Sequence, residues 1–519
     1  MFKPLNTTLP VALITLAAAC STPGVPAGVP HPDTGAVVDF SPGANVDVGA
    51  ADAVLTSVGS LEEGDWVEYA YGVLSPGDLD GDGFDDLLVL TSSVSGPDFA
   101  EPEDGLIPSY NRVRAGVLYG GPLFFAEPLQ LDAAISTVWV WGGERAQEVS
   151  TDPFGQMRVT PAGDVDGDGA ADLLFSVRNG ACQQGNVYLV YGGSRLSGED
   201  DVRAIGANLR EDSECSGFGL ASALGDLDGD GFDDFAVSAP GRSEGAESRV
   251  FLYYGAATRM SARRSEADAD VVLTSPAQWA GDAVPLGDID GDGYADAAFA
   301  VDASFAVGEL ELAQALGRDY TGPLLHVAER RVLYGGPRLV GTMPLADTSA
   351  AFTTAAGVTG LGDIDDDGDA EVALFGVTDE ARSAREAARI LSGESSRLPE
   401  AGWSFDESAA DIAWVEPAGD VNGDGTPDLL VGVVSDDERG DRLVLLLGPH
   451  AETVSLASGV HFLPRSFGET AQREQVAADA AGGADLDGDG LSDFAIVSSE
   501  APAEERRAQG QLLVFRGRR

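Results

Sequence analysis

Lysine is all but missing from this chain: Lys3 is the only one among 519 residues, and arginine supplies the rest of the positive charge. That bias reads as genome composition. Basic residues of both kinds number 31 against 86 acidic ones, for a formal net charge of -55. Such a surface repels nucleic acid and anionic membranes, so neither is a natural partner. Histidine is scarce too: His31, His326, His450 and His461 show no metal-ligand spacing. No HExxH or phosphate-cradling Gly-Lys loop occurs, so the common metalloprotease and nucleotide-binding signatures are absent. Long apolar runs are also wanting. The stretch Leu9 to Cys20 is too short to span a bilayer as a helix.

What the chain has in abundance is one Asp-rich loop, present seven times. The copies begin at Asp78, Asp164, Asp226, Asp288, Asp363, Asp420 and Asp485, spaced 86, 62, 62, 75, 57 and 65 residues apart. Position 3 holds Asp80, Asp166, Asp228, Asp290, Asp365, Asn422 and Asp487. Position 5 holds Asp82, Asp168, Asp230, Asp292, Asp367, Asp424 and Asp489. Position 9 holds Asp86, Asp172, Asp234, Asp296, Glu371, Asp428 and Asp493, and position 6 is always Gly. Alternating carboxylates can converge on one hard cation, and the glycine permits the turn that brings them together. Four carboxylates in one loop would otherwise repel each other. The spacing therefore predicts up to seven Ca²⁺ ions. The position-7 residues Phe84, Ala170, Phe232, Tyr294, Asp369, Thr426 and Leu491 are counted in each metal set. Of the 28 side-chain positions, 27 are carboxylates and one is an amide, so seven ions would leave a charge of about -41.

Each loop is followed by an apolar, β-rich run, such as "DLLVLTS" from Asp86 and "DFAVSAP" from Asp234, then by a second run ending in Gly. Short β-rich runs separated by Gly, Asp and Pro turns read as antiparallel strands, and a long period with about four strands per unit reads as propeller blades. The last repeat stops after its third strand. Near the N-terminus, "ADAVLTS" (Ala51 to Ser57) nearly duplicates "ADVVLTS" (Ala269 to Ser275), which stands where a fourth strand of the third repeat belongs. The N-terminal segment is thus expected to supply the outer strand of blade seven; two merely similar edge strands are the competing reading. The fold class predicted is all-β, a seven-bladed propeller over residues 50–519.

The cassette Phe218-Gly219, "GDLDGDGFDD" from Gly225, Ser238-Ala239-Pro240-Gly241 and "RVFLYYG" from Arg249 resembles the FG-GAP repeat, found in integrin α propellers and many bacterial surface proteins. The resemblance is strongest in the third repeat. It implies that each loop joins the innermost strand of its blade to the second and binds one Ca²⁺. It also implies that the calcium loops act as staples, while partners are recognised on the opposite face. There the connections from Ser93 to Arg114, Asp302 to Arg330 and Thr378 to Arg389 are long, and the second contains "ELELAQAL" from Glu309, a candidate helix. Leg domains, a membrane helix and a DxSxS motif are lacking, so integrin partners do not carry over.

The N-terminus reads as an address. Leu16-Ala17-Ala18-Ala19-Cys20 resembles a bacterial lipoprotein cleavage box, with Ala17 where Leu is more usual. On that reading residues 1–19 are a signal peptide, Cys20 is lipidated, and residues 20–49 are a Pro/Gly-rich tether. Ser21 leaves the outer membrane open as destination; an ordinary secretory signal is the alternative. Cys182 and Cys215 are a disulfide candidate outside the cytoplasm, if neighbouring blades bring them together.

Function divides three ways. A scaffold binding an unknown protein or glycan ligand fits the long connections and the tryptophans Trp139, Trp141 and Trp279, although inter-blade packing is the better account of each Trp. A calcium-dependent polysaccharide lyase or hydrolase is the enzymatic alternative; its acidic surface would repel a polyuronate, and the carboxylates are already assigned as ligands. A structural envelope protein without a discrete ligand is the third.

Overall fold

The computed structural model describes residues 40–47, 51–56, 66–95, 112–125, 135–140, 157–179, 184–196, 199–210, 217–240, 247–261, 264–276, 279–302, 328–355, 357–375, 388–393, 402–405, 411–434, 442–450, 453–463, 475–500 and 509–519. They form seven sheets arranged as the blades of a propeller. In blade three the strands are Leu220–Gly225, Asp234–Ala239, Ser248–Tyr253 and Val271–Ser275, paired antiparallel in that order from the inside outward. The first two are joined by the Asp-rich loop, and the same holds in every blade. Innermost strands of consecutive blades touch all the way round, with Trp66–Gly77 of blade one against Gln475–Ala484 of blade seven.

The core lies between the blades. Seven apolar clusters fill the seven junctions. The second strands are buried on both sides, which is why they read as unbroken apolar runs; all six residues of Asp234–Ala239 are buried. Aromatics thicken the junction of blades six and seven, where Phe494 stacks on Phe515 with centroids 5.0 Å apart and Phe462 meets both edge-on.

The ring closes through the N-terminus. Ala53–Thr56 pairs antiparallel with Gln509–Phe515, with Ala53 opposite Val514 and Thr56 opposite Gln511. This is the closure anticipated from the duplicated "ADAVLTS". The described chain begins at Phe40, inside the stretch read as tether, and is already packed there. Phe40 lies against Phe494, and Asn45–Asp47 pairs with Val460–Leu463. That pairing is one of five additions to the four-stranded pattern. Glu199–Asp201, Arg264–Ser265, Gly341–Pro344, Thr453–Val454 and Asn45–Asp47 each run parallel to the outer strand of the preceding blade. Each comes from the connection that leads to the outer strand of its own blade, so neighbouring blades are tied at the rim.

A second set of ties encircles the loops. The position-8 N–H of one loop donates to the position-1 carbonyl of the loop before it: Ala171 to Asp78, Asp233 to Asp164, Ala295 to Asp226, Ala370 to Asp288, Ser492 to Asp420, and Asp85 to Asp485 across the closure. One bond of the circle cannot form. Position 8 of loop six is Pro427, which has no N–H to offer blade five. The residue after the glycine that ends the third strand makes a parallel set, as in Gly193 to the Leu79 carbonyl and Arg518 to that of Val421. In blade six that residue is Pro449, so this bond is lost at the same junction.

Trp139 and Trp279 belong to strands, not connections: the first to the outer strand Ile135–Val140 of blade one, the second to the innermost strand Trp279–Gly287 of blade four. Residues 1–39, Trp141, Cys182 and Cys215 lie outside the described residues, as do the long connections 96–111, 303–327 and 376–387. No helix among the described residues is long and apolar enough to cross a membrane.

Candidate metal centres

A glycine of positive φ turns the chain out of the innermost strand in six blades, with Gly225 at 75° in blade three, and the strand bulges there. The loop then folds on its own carboxylates. In all seven copies the position-1 Asp accepts the N–H groups of positions 5 and 6. In loop three Asp226 takes those of Asp230 at 3.1 Å and Gly231 at 2.9 Å, and in loop seven Asp485 takes those of Asp489 and Gly490 at 3.0 Å. The position-5 carboxylate accepts the N–H of position 7, as Asp82 does from Phe84 at 3.1 Å and Asp489 from Leu491 at 2.9 Å. The pattern is that of a preformed cation loop. In loop six Asn422 donates to Asp424 at 3.0 Å, and the Thr426 hydroxyl bonded to the same carboxylate holds Asp424 below the usual range.

Carboxylate oxygens converge as the spacing requires. Those of Asp78, Asp80 and Asp82 lie within 4.8 Å of one another. So do those of Asp164, Asp166 and Asp172, of Asp226, Asp228 and Asp230, of Asp288, Asp290 and Asp296, and of Asp363, Asp365 and Glu371. A cation with oxygen ligands at about 2.3–2.6 Å spans such a set, and the all-oxygen donors suit calcium over zinc. Asp487 in loop seven adds a further sign: its Oδ1 is buried and accepts no hydrogen bond. The residues present therefore fit a calcium ion. Positions 1, 3 and 5 would hold it by side chains, joined by position 9 where its oxygen converges, as at Asp172, Asp296 and Glu371. At position 7 the side chain faces away; Phe84 packs over Gly488, Phe232 over Gly167 and Tyr294 over Gly229, each on the preceding loop, which leaves the main chain to face the site.

Position 9 has a second task that the spacing did not reveal. Its carboxylate is buried and accepts two backbone N–H groups, one from position 2 and one from the glycine ending the third strand. Asp234 takes Leu227 at 2.9 Å and Gly255 at 2.8 Å; Asp86 takes Leu79 and Gly120 at 2.8 Å. Asp172, Asp296, Glu371, Asp428 and Asp493 repeat the clamp. Burial pushes these carboxyls up, to about 7 for Asp86, Asp172, Asp296, Glu371 and Asp428 and to about 8 for Asp234 and Asp493. A neighbouring cation would oppose that shift. The signal was in the sequence: position 2 is apolar in every loop, and Leu79, Val165, Leu227, Ile289, Ile364, Val421 and Leu486 are all buried between blades.

Arginines cover four of the loops. Arg195 pairs with Asp80 at 2.7 Å and Asp82 at 3.5 Å, Arg259 with Asp166 and Asp168, Arg338 with Asp228 and Asp230. All three come from the following blade. They lie over Tyr119, Tyr191 and Tyr254 at 4.3, 4.9 and 4.4 Å, and those hydroxyls accept the N–H of Leu196, Met260 and Leu339. Over loop seven, Arg516 of the same blade reaches Asp487 at 2.7 Å and Asp489 at 2.8 Å.

Loop five departs from the others at position 4. Asp366 stands there with φ 63°, the non-glycine residue of positive φ among the described residues, whereas Gly81, Gly167, Gly229, Gly291, Gly423 and Gly488 occupy that place elsewhere. A left-handed backbone costs a side chain roughly 1–2 kcal/mol, less for Asp. Glycine is also freer in the unfolded chain. Asp366→Gly is therefore expected to stabilise the metal-free protein by about 0.5–1 kcal/mol, read from its urea midpoint; a lower midpoint would contradict the strain.

Residues 218–253, the first three strands of blade three with their loop, match the FG-GAP repeat model. Integrin alpha-PS2 of Drosophila melanogaster is 34% identical over 151 residues, which cover 26% of this chain and 10% of that protein. The chain thus spans about a tenth of the curated relative it matches. A Dyadobacter fermentans protein of unknown function aligns over 89% of this chain and 98% of its own at 10% identity, with a TM-score of 0.35.

Proposed function

We propose that this protein is a calcium-stabilised, lipid-anchored propeller of the bacterial cell envelope, on the outer membrane or cell surface, which presents a recognition face to a protein or glycan. The observation that carries the reading is the sevenfold Asp loop, each copy folded on its own main chain, with carboxylate oxygens converging in loops one to five. In this reading the ions neutralise one end of the ring. The strands of each blade then deliver their second-to-third connections, three of them long, to the other end. Similarity to an FG-GAP repeat and to an integrin α chain supports recognition at the cell exterior over catalysis. Cys20 would carry the anchor, and Cys182 and Cys215 would pair across blades two and three. The deciding experiment exposes the purified full chain to a glycan array and to envelope-protein extracts, with 1 mM calcium or with chelator. Saturable capture of one ligand class, lost on shortening the 303–327 connection, is the expected result. Turnover of a polysaccharide would replace this reading with the enzymatic one.

A further inference from the structure

Resting on the calcium reading, we propose that Arg195, Arg259, Arg338 and Arg516 are built-in counter-cations that divide the loops into two affinity classes: weaker sites under a guanidinium, and a tight site at loop five.

The geometry is repeated and charge-specific. Each guanidinium bridges the outer oxygens of positions 3 and 5 and leaves the position-1 Asp to the loop's own N–H groups. The position-3 side chains are nearly closed off, at 4% exposure for Asp80 and Asp166, 3% for Asp228 and 2% for Asp487. Buried carboxylates at such places need a cation, and the arginine supplies one before any metal arrives.

Blade seven shows that the charge matters more than its source. The arginines of blades two and four follow the glycine of the third strand by three residues, at Arg195 after Gly192 and Arg338 after Gly335. Blade one, which faces loop seven, has Leu123 at that place, and it is 71% exposed. Loop seven is nevertheless covered. Arg516 stands in the place that Tyr119, Tyr191 and Tyr254 hold in blades one to three, immediately before the glycine, and reaches the same pair of carboxylates. A guanidinium lost from one position is restored from another.

Among the described residues, loop five has no such partner. Blade six offers Pro449-His450-Ala451-Glu452 after Gly448, without an arginine, while the loop itself carries six acidic residues: Asp363, Asp365, Asp366, Asp367, Asp369 and Glu371. In blade five, Arg397 follows Gly393 by four residues, the spacing of Arg259 from Gly255, and lies outside the described residues. In loop six Asn422 removes one charge, and the Arg519 side chain lies against Gly423.

A full positive charge beside a divalent site lowers its affinity by roughly tenfold at a separation of about 5 Å in a water-like medium. The test is a triple variant, Arg195→Gln with Arg259→Gln and Arg338→Gln, titrated with calcium by calorimetry and melted in chelator. Three sites are expected to tighten about tenfold, and the metal-free variant to melt below wild type. Single Arg338→Gln gives the same shift at one site if the triple variant does not fold, and Arg338→Lys restores wild-type affinity. Calcium uptake with those three sites unmoved or weakened overturns this inference alone. No uptake by either protein overturns the calcium reading and this inference with it.

Discussion

Stripping calcium from the full-length chain is expected to cost the ring on the order of 10 kcal/mol. Extracellular calcium modules bind with Kd near 10⁻⁴ to 10⁻³ M. At ~1 mM calcium and a Kd of ~0.1 mM, each site contributes about 1.4 kcal/mol by mass action, and seven sites sum to about 10 kcal/mol. That rivals the whole stability of a typical domain. The loops are the place where the ring needs it. Six of them bond to the preceding blade through the position-8 N–H, and in loops one to five the carboxylate oxygens crowd to within 4.8 Å. Without a cation, the repulsion is relieved by the arginines at four loops and by main-chain N–H groups at all seven. Differential scanning calorimetry in 1 mM calcium and in EDTA decides it. An identical midpoint in the two buffers would remove calcium from the account of stability.

The second large effect separates the two tasks of the loop. Asp234→Ala is expected to destabilise the protein by about 3–5 kcal/mol whether or not calcium is present. It strands the N–H groups of Leu227 and Gly255, both now satisfied by one buried carboxylate. Each buried donor left without a partner costs about 1–3 kcal/mol. Asp230→Ala, at exposed position 5, is expected to cost little in chelator and to act chiefly by weakening calcium binding. Urea denaturation of both variants in each buffer gives the four numbers needed. Equal losses for the two variants in chelator would mean that position 9 is a ligand and not a clamp.

Much of this was legible from residues alone. The loops have a fixed internal spacing, so their chemistry survives as a pattern of letters. The closure was legible because Ala51 to Ser57 and Ala269 to Ser275 are near copies, and the outer strands Ala53–Thr56 and Val271–Ser275 bear this out. The rim strands were not legible. They are two to four residues long, as with Arg264–Ser265 and Gly341–Pro344, too short for an alternating pattern, and their partners lie in another blade. The arginine caps are hidden in the sequence for the same reason. Arg195 meets Asp80 across 115 residues, and no local spacing encodes a contact set by circular order. The letter at position 9 marks a candidate ligand, and Asp172, Asp296 and Glu371 do converge with their loops' other oxygens; the clamp is hidden because it depends on Gly120 and its counterparts arriving from the third strand.

The two prolines of blade six set one joint of the ring apart. Pro427 and Pro449 remove both main-chain bonds toward blade five, so that joint rests on side-chain packing around Ile364, Ile390, Val415 and Leu429 and on the two-residue rim strand Thr453–Val454. A hoop with one unwelded seam parts there first. Thermal breathing, protease entry and the tolerance of new chain ends are expected to concentrate at that seam, with blade six between it and the blade that closes the ring, whose main-chain ties to blade one are intact.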